Sequence, residues 1–337
     1  MKPSNKHKRT VFFILANEDK ELYEATKRRE ASSANFALVY YIAYHPIYVL
    51  SLPANHRFPI EKYALLPEQL LYEGTDTPEQ FFMPSMASNA DILRVHQKSY
   101  FDKFVNGQLS ASAMRKIGFP WSEQLVEREI RIAGGTIEAC YHALQTGIAF
   151  NIAGGTHHAY ADAGEGFCML NDQAIAAAHV LEKKLAKQIL IIDLDVHQGN
   201  GTAVIFKDEA RVFTCSLHGR DNYPLHKEVS DLDVALPAGI EDEAYINTLT
   251  ATLKTIKNSF QADFIFYQAG VDVLATDKLG KLSLTIAGCA QRDCLVMEWA
   301  LAQQIPMVVC MGGGYSPDIR HILEAHANTY RIARELY

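Results

Sequence analysis

No stretch of this chain approaches the roughly 20 apolar residues that a membrane-spanning helix requires. The apolar run at residues 11–16 is too short for the hydrophobic part of a secretory leader, and Asn17-Glu18-Asp19 ends it. Six cysteines (Cys140, Cys168, Cys215, Cys289, Cys294 and Cys310) include no CxxC pair, which excludes the usual zinc-ribbon and dithiol motifs. They sit mostly in apolar surroundings, as reduced thiols of a cytoplasmic protein do, so a cytoplasmic location is expected. A surplus of basic residues is also missing. Against 39 Asp+Glu stand 32 Lys+Arg, a net charge of −7, which argues against direct nucleic-acid binding and still suits a cationic substrate. Repeats, low-complexity tracts and Pro/Ser linkers are absent as well. One main domain over residues 35–337, preceded by a polar extension over residues 1–34, is the economical reading.

What is present is an ordinary globular composition, 48% hydrophobic and 21% charged, ample for a large core without disulfides. A β-rich segment at residues 38–44 ends in His45-Pro46. A mostly helical stretch from about Pro67 to Ala149 comes next, with amphipathic helices opening at Asp91 and running over residues 123–149. The second half alternates. Runs dense in Val, Ile and Phe at residues 188–194, 211–216, 263–267 and 306–311 are separated by helical patterns at 171–182, 201–206, 241–258 and 287–303. Strands apolar on both faces, alternating with helices, imply an α/β fold with a parallel sheet between helical layers.

In such a sheet, ligands bind beyond the carboxyl ends of the strands. The residues just after each apolar run are therefore the place for chemistry. Asp193, Asp195 and His197 follow one run, Gly270 and Asp272 another, and Gly312-Gly313-Gly314-Tyr315 a third. A further loop, Gly154-Gly155-Thr156-His157-His158, follows the apolar residues 148–153. Asp-Val-His on an extended segment projects two ligand types to one side, with Leu194 and Val196 directed into packing. With Asp272 they make two carboxylates and an imidazole, three ligands that leave a coordination position open on a catalytic metal. The set suits zinc, and iron, cobalt or manganese fit the same donors. Taken alone, a DxH can equally cap a helix, and adjacent histidines can simply pair with neighbours.

A water acidified by a cation still needs a base, and imidazole has the right basicity near neutral pH. His157 and His158 are the candidates, with Asp193 as a partner for one of them. Tyr315 is placed to donate to a developing oxyanion. The triple glycine before it lacks the GxGxxG or GK[ST] context of a phosphate loop. Phe167 is a core aromatic by default, or one wall of a narrow channel.

In their joint order these fragments resemble the histone deacetylase family. The residues are Gly154-Gly155-Thr156-His157-His158, Gly166-Phe167-Cys168 with Asn171-Asp172, residues 193–201, Ser216-Leu217-His218, Ala269-Gly270-Val271-Asp272 and Gly312-Gly313-Gly314-Tyr315. The likeness runs from about Tyr44 to Arg334. His45-Pro46, His56-Arg57-Phe58-Pro59, Gln198, Asn200 and Asn222-Tyr223-Pro224 resemble the class IV branch most.

The resemblance implies the arginase–deacetylase fold: a single domain with an eight-stranded parallel sheet between helices. It implies Zn²⁺ on Asp195, His197 and Asp272, acid/base roles for His157 and His158, and a carbonyl-polarising Tyr315. Phe167 and Tyr223 would wall a lysine tunnel, with Gly166 and Gly313 beside it. Asp193, Asp195, His197, Ser216 and Leu217 would hold a structural K⁺. Class I members have an aspartate at the position of Asn200. A neutral amide stabilises imidazolium less, so His158 should titrate lower and stay competent as a base. The aspartate with which class I members grip substrate has no identifiable counterpart. The implied activity is hydrolysis of an acyl-lysine protein or peptide. An acetylpolyamine or other acylated amine is the rival substrate, and a silent acyl-lysine binding module the rival outside enzymes.

Overall fold

Eight parallel strands carry the fold, and their sequences explain their depth. In the computed structural model, residues 40–53 and 56–337 are described, and they belong to one compact unit. The boundary expected near residue 34 lies outside the described residues. Strands β1 (Tyr41–Ala43), β2 (Phe81–Phe82), β3 (Ile148–Asn151), β4 (Ile189–Asp193), β5 (Val212–Gly219), β6 (Leu232–Leu236), β7 (Phe264–Gln268) and β8 (Met307–Cys310) line up as β2-β1-β3-β8-β7-β4-β5-β6. Every residue of β3, β4, β7 and β8 is buried, as an apolar run covered on both faces should be. The edge strand β6 alternates in exposure, and its charged Asp233 hides it from a search for continuous apolar runs.

Ten helices accompany the sheet among the described residues: α1 (Lys62–Glu73), α2 (Asn89–Ile92), α3 (Lys98–Val105), α4 (Ala111–Ile117), α5 (Glu123–Thr146), α6 (Asp172–Glu182), α7 (Asn200–Phe206), α8 (Asp242–Ser259), α9 (Ile286–Ala302) and α10 (Ile319–Leu336). None is long and apolar enough to cross a membrane. Ser122 caps α5 by accepting from the Leu125 N–H at 3.0 Å. Gly147 ends it in the left-handed region at φ 89°, which frees Ile148 and Ala149 to enter β3 rather than extend the helix. The helix expected to open at Asp91 is a single turn. Its continuation is lost to tertiary bonds, His96 Nε2 accepting from the Asn171 N–H at 2.9 Å and Gln97 N–H donating to the Ala161 carbonyl at 2.7 Å. Helix α1 begins at Lys62, five residues ahead of the expected start, with Pro67 inside it.

The strand order explains how distant loops come to share one place. Chain order runs outward through β4, β5 and β6, then returns to insert β7 and β8 between β4 and β3. The strands that precede the candidate residues are thereby the four central neighbours β3, β8, β7 and β4. Their carboxyl ends lie side by side, so loops far apart in sequence converge.

Candidate active site

Asp193 closes β4, and its neighbours leave the sheet at once. Residues 195–197 form a bend rather than the extended segment expected, yet Leu194 and Val196 are still buried and Asp195 and His197 still meet. Asp272 arrives from the loop after β7. One ligand atom from each of Asp195, His197 and Asp272 lies within 4.8 Å of the others, and all three residues are buried. His197 Nδ1 lies 3.1 Å from both Asp195 Oδ1 and Asp272 Oδ2. Burial works against a charged His197 ring, and the two carboxylates reverse this and hold it up at about 10. Asp272 is pushed up to about 7 by burial and by Asp195. Two carboxylates gathered in so dry a place call for compensating positive charge, and the set of two anionic oxygens and one imidazole fits a divalent cation.

The cluster depends on backbone that has no room for a side chain. A Cβ on Gly313 would lie 2.2 Å from Asp272 Oδ2 and 2.7 Å from Asp195 Oδ2. The Gly313 N–H donates to Asp195 Oδ2 at 2.9 Å, so the glycine both admits and orients the carboxylate. Gly313→Ala is therefore expected to fold but to lose most of its bound metal, as read by elemental analysis after dialysis. Full metal content in that variant would mean the loop yields freely.

His157 and His158 follow β3 on a turn fastened by Asp172, whose Oδ1 accepts from the N–H groups of Gly155 and Thr156 at 2.9 and 2.7 Å. The bend brings the two adjacent rings together, centroids 4.1 Å apart. His157 Nδ1 pairs with Asp193 Oδ2 at 2.6 Å, and His158 Nδ1 with Asn200 Oδ1 at 2.6 Å. Burial lowers His157, but the Asp193 and Asp195 carboxylates outweigh it and raise the ring to about 9. His158 goes the other way: burial first, then the neighbouring His157 and His197, hold it well below its ordinary value. Neutral imidazole at His158 is the state its surroundings favour.

His157, His158, Asp195, His197 and Asp272 line one narrow cavity of about 40 Å³ with Gly166, Phe167, Gly313 and Tyr315. Phe167 stands at φ 67°, a left-handed conformation unusual for a bulky residue, held by its N–H on the Ile117 carbonyl at 2.7 Å. Its ring packs on Phe58, Phe119 and Tyr315, with centroids 5.1, 5.2 and 6.0 Å away. Tyr223 is not part of that lining. It stands edge-on to His158 at 5.1 Å and is 39% exposed. Ser216 is the register partner of Asp193 on β5, and both it and Leu217 are buried.

Three further supports carry no motif, and reading the sequence alone passes over them. Asp277 accepts from the Tyr315 N–H at 2.6 Å and so fixes the loop that presents the tyrosine. Lys62, fully buried, donates to the Gly312 carbonyl at 3.0 Å. Arg292 on α9 donates to the Gly270 and Leu194 carbonyls at 2.5 and 3.3 Å, tying together the two loops that carry the carboxylates. Only contact between segments distant in sequence gives these side chains meaning. A charged residue directly followed by its partner, as in Arg292-Asp293, is the one signal that could have marked one of them.

An eight-stranded parallel sheet between helices, with acid and imidazole gathered beyond its central strand ends, is the arginase–deacetylase fold. The histone deacetylase domain matches residues 56–330, and the chain belongs to the histone deacetylase family. It is 43% identical over 296 residues to an uncharacterized protein of Picosynechococcus, covering 88% of this chain and 99% of that protein. To histone deacetylase 2 of Arabidopsis thaliana it is 29% identical over 287 residues, 82% of this chain and 74% of that one. Among solved structures it resembles a histone deacetylase homologue from Aquifex aeolicus with a TM-score of 0.77 at 23% identity, over 88% of this chain and 84% of that chain. That likeness supports the fold.

Proposed function

We propose that this chain is a zinc-dependent lysine deacylase that hydrolyses acetyl or longer acyl groups from lysine side chains. The observation that carries the proposal is the convergence of Asp195, His197 and Asp272 with a histidine pair and Tyr315 on one narrow, aromatic-walled cavity. Zinc held by those three residues would supply Lewis acidity to the acyl carbonyl and acidify the attacking water. The chain's own groups do the rest. His158, kept neutral, receives the proton of the attacking water at the nitrogen not bound to Asn200. His157, hydrogen-bonded to Asp193, is placed to give a proton to the departing amine. Tyr315 donates its hydroxyl proton to the oxygen on which charge develops. Phe167 flanks the aliphatic chain and keeps water away.

The likeness to class IV members favours longer acyl chains within this reading. A structural K⁺ on Asp193, Asp195, His197, Ser216 and Leu217 belongs to the same proposal. Six free cysteines accord with a reducing, cytoplasmic setting. The test is a substrate panel on chelator-stripped protein reloaded with zinc, Fe²⁺ or Mn²⁺. Acyl-lysine peptides are expected to be cleaved and zinc to restore the activity. Turnover of acetylated polyamines alone would move the substrate to small amines. Peptide binding with no turnover at full zinc loading would leave a binding module.

A further inference from the structure

The amide of Asn200 has two faces, and the side chains around it decide which one His158 meets. Its Oδ1 lies 2.6 Å from His158 Nδ1, and its Nδ2 lies 2.7 Å from Glu165 Oε1 and 2.9 Å from the Tyr160 hydroxyl. An ionised carboxylate only accepts hydrogen bonds. The Tyr160 hydroxyl proton is directed at Glu228 Oε1, 3.3 Å away, so toward Asn200 this hydroxyl accepts too. Both amide protons are thereby spoken for, and the oxygen must face the histidine.

We propose that Glu165 is a positioning residue that sets the tautomer of His158 through Asn200. With the amide oxygen at Nδ1, the neutral ring carries its proton on Nδ1 and leaves Nε2 bare to accept one. Were the amide reversed, its NH₂ would donate to Nδ1, the ring proton would move to Nε2, and the base would be blocked. In a member with aspartate at this position no such choice exists, because both oxygens accept. The asparagine makes orientation a variable, and Glu165 removes it. Asn200 is fully buried, and the half-buried Glu165 supplies the only carboxylate hydrogen-bonded to its amide nitrogen among the described residues.

The inference rests on the deacylase reading only for its kinetic consequence, and two separate readouts test it. In zinc-loaded protein with ¹⁵N-labelled histidine, the His158 signal, assigned with a His158→Ala variant, is expected to show a protonated Nδ1 and a bare Nε2. Glu165→Ala should shift it toward the Nε2-protonated form, whereas Glu165→Gln, which keeps an acceptor oxygen, should not. On the best acyl-lysine peptide, Glu165→Ala should lower kcat at least about tenfold with KM nearly constant, the scale of losing an outer partner of a functional imidazole. Glu165→Gln should recover most of that loss. In an Asn200→Asp background the same Glu165→Ala change should cost nothing in kcat, because an aspartate cannot be reversed. An equal kcat loss in both backgrounds, or an unchanged His158 tautomer in folded, zinc-loaded Glu165→Ala, overturns the proposal. A wild-type protein inert on every substrate defeats the deacylase reading instead, and the tautomer measurement still decides the role of Glu165.

Discussion

Asp272→Asn is expected to leave a folded protein that binds zinc at least about a thousandfold more weakly and has no measurable deacylase activity, a larger loss than removal of a partner behind the ligands causes. The substitution is nearly isosteric. Asp272 Oδ1 accepts from the Val196 N–H at 2.9 Å, a bond that the asparagine oxygen can keep. What disappears is the charge on the oxygen 3.1 Å from His197 Nδ1, replaced by an NH₂ group that cannot ligate. Without that carboxylate, one acidic ligand and one imidazole remain, too few to fix a divalent cation with an open position. Without metal the variant should be somewhat less stable, because the buried His197 ring loses one of the two carboxylates that hold it charged. Zinc content after dialysis, competition with a chromophoric chelator, and circular dichroism together read the outcome. Stoichiometric zinc with retained turnover would remove Asp272 from the ligand set.

The difference between what is and is not visible in the sequence comes from the range of the forces. Strands β3, β4, β7 and β8 are legible because burial on both faces writes a continuous apolar run, and the loops after them are where the α/β rule directs attention. Asp195, His197, Asp272, the histidine pair and Tyr315 are legible for the same reason, each close behind such a run. The family resemblance makes Tyr223 a tunnel wall, and in the structure it stands edge-on to His158, half-exposed. Strand β6 and the two-residue β2 escape because an edge position tolerates charge or needs almost no length. The break after α2 depends on His96 and Gln97 finding partners at Asn171 and Ala161, which no local propensity encodes.

Glu165 illustrates the limit most sharply. An asparagine in place of an aspartate predicts a lower pKa for His158, and in the structure burial and then the neighbouring His157 and His197 hold it low. Nothing in the spacing from Glu165 to Asn200 says that the two side chains meet. Arg292 is similar. Its value is to hold two carbonyls from loops that carry the acidic ligands, a role that exists only once α9 lies on the sheet.

Tyr315→Phe should reduce kcat by about 10²–10³-fold, equivalent to about 2.7–4 kcal/mol, while zinc content and KM change little. The ring contributes packing against Phe58 and Phe167, at centroid distances of 5.9 and 6.0 Å, and phenylalanine keeps it. The loop is anchored through the Tyr315 N–H on Asp277 rather than through the hydroxyl, so the backbone path is unaffected. Burial and the nearby Asp195 and Asp272 carboxylates raise the phenol well above its usual pKa, which keeps the proton on the oxygen at neutral pH. The hydroxyl is thus a pure donor at the moment when charge appears on the substrate oxygen. Because that charge is small in the ground state, its loss should appear in kcat and hardly in substrate affinity. Equal turnover by wild type and Tyr315→Phe, at equal zinc content, would assign charge stabilisation to the cation and the histidines alone.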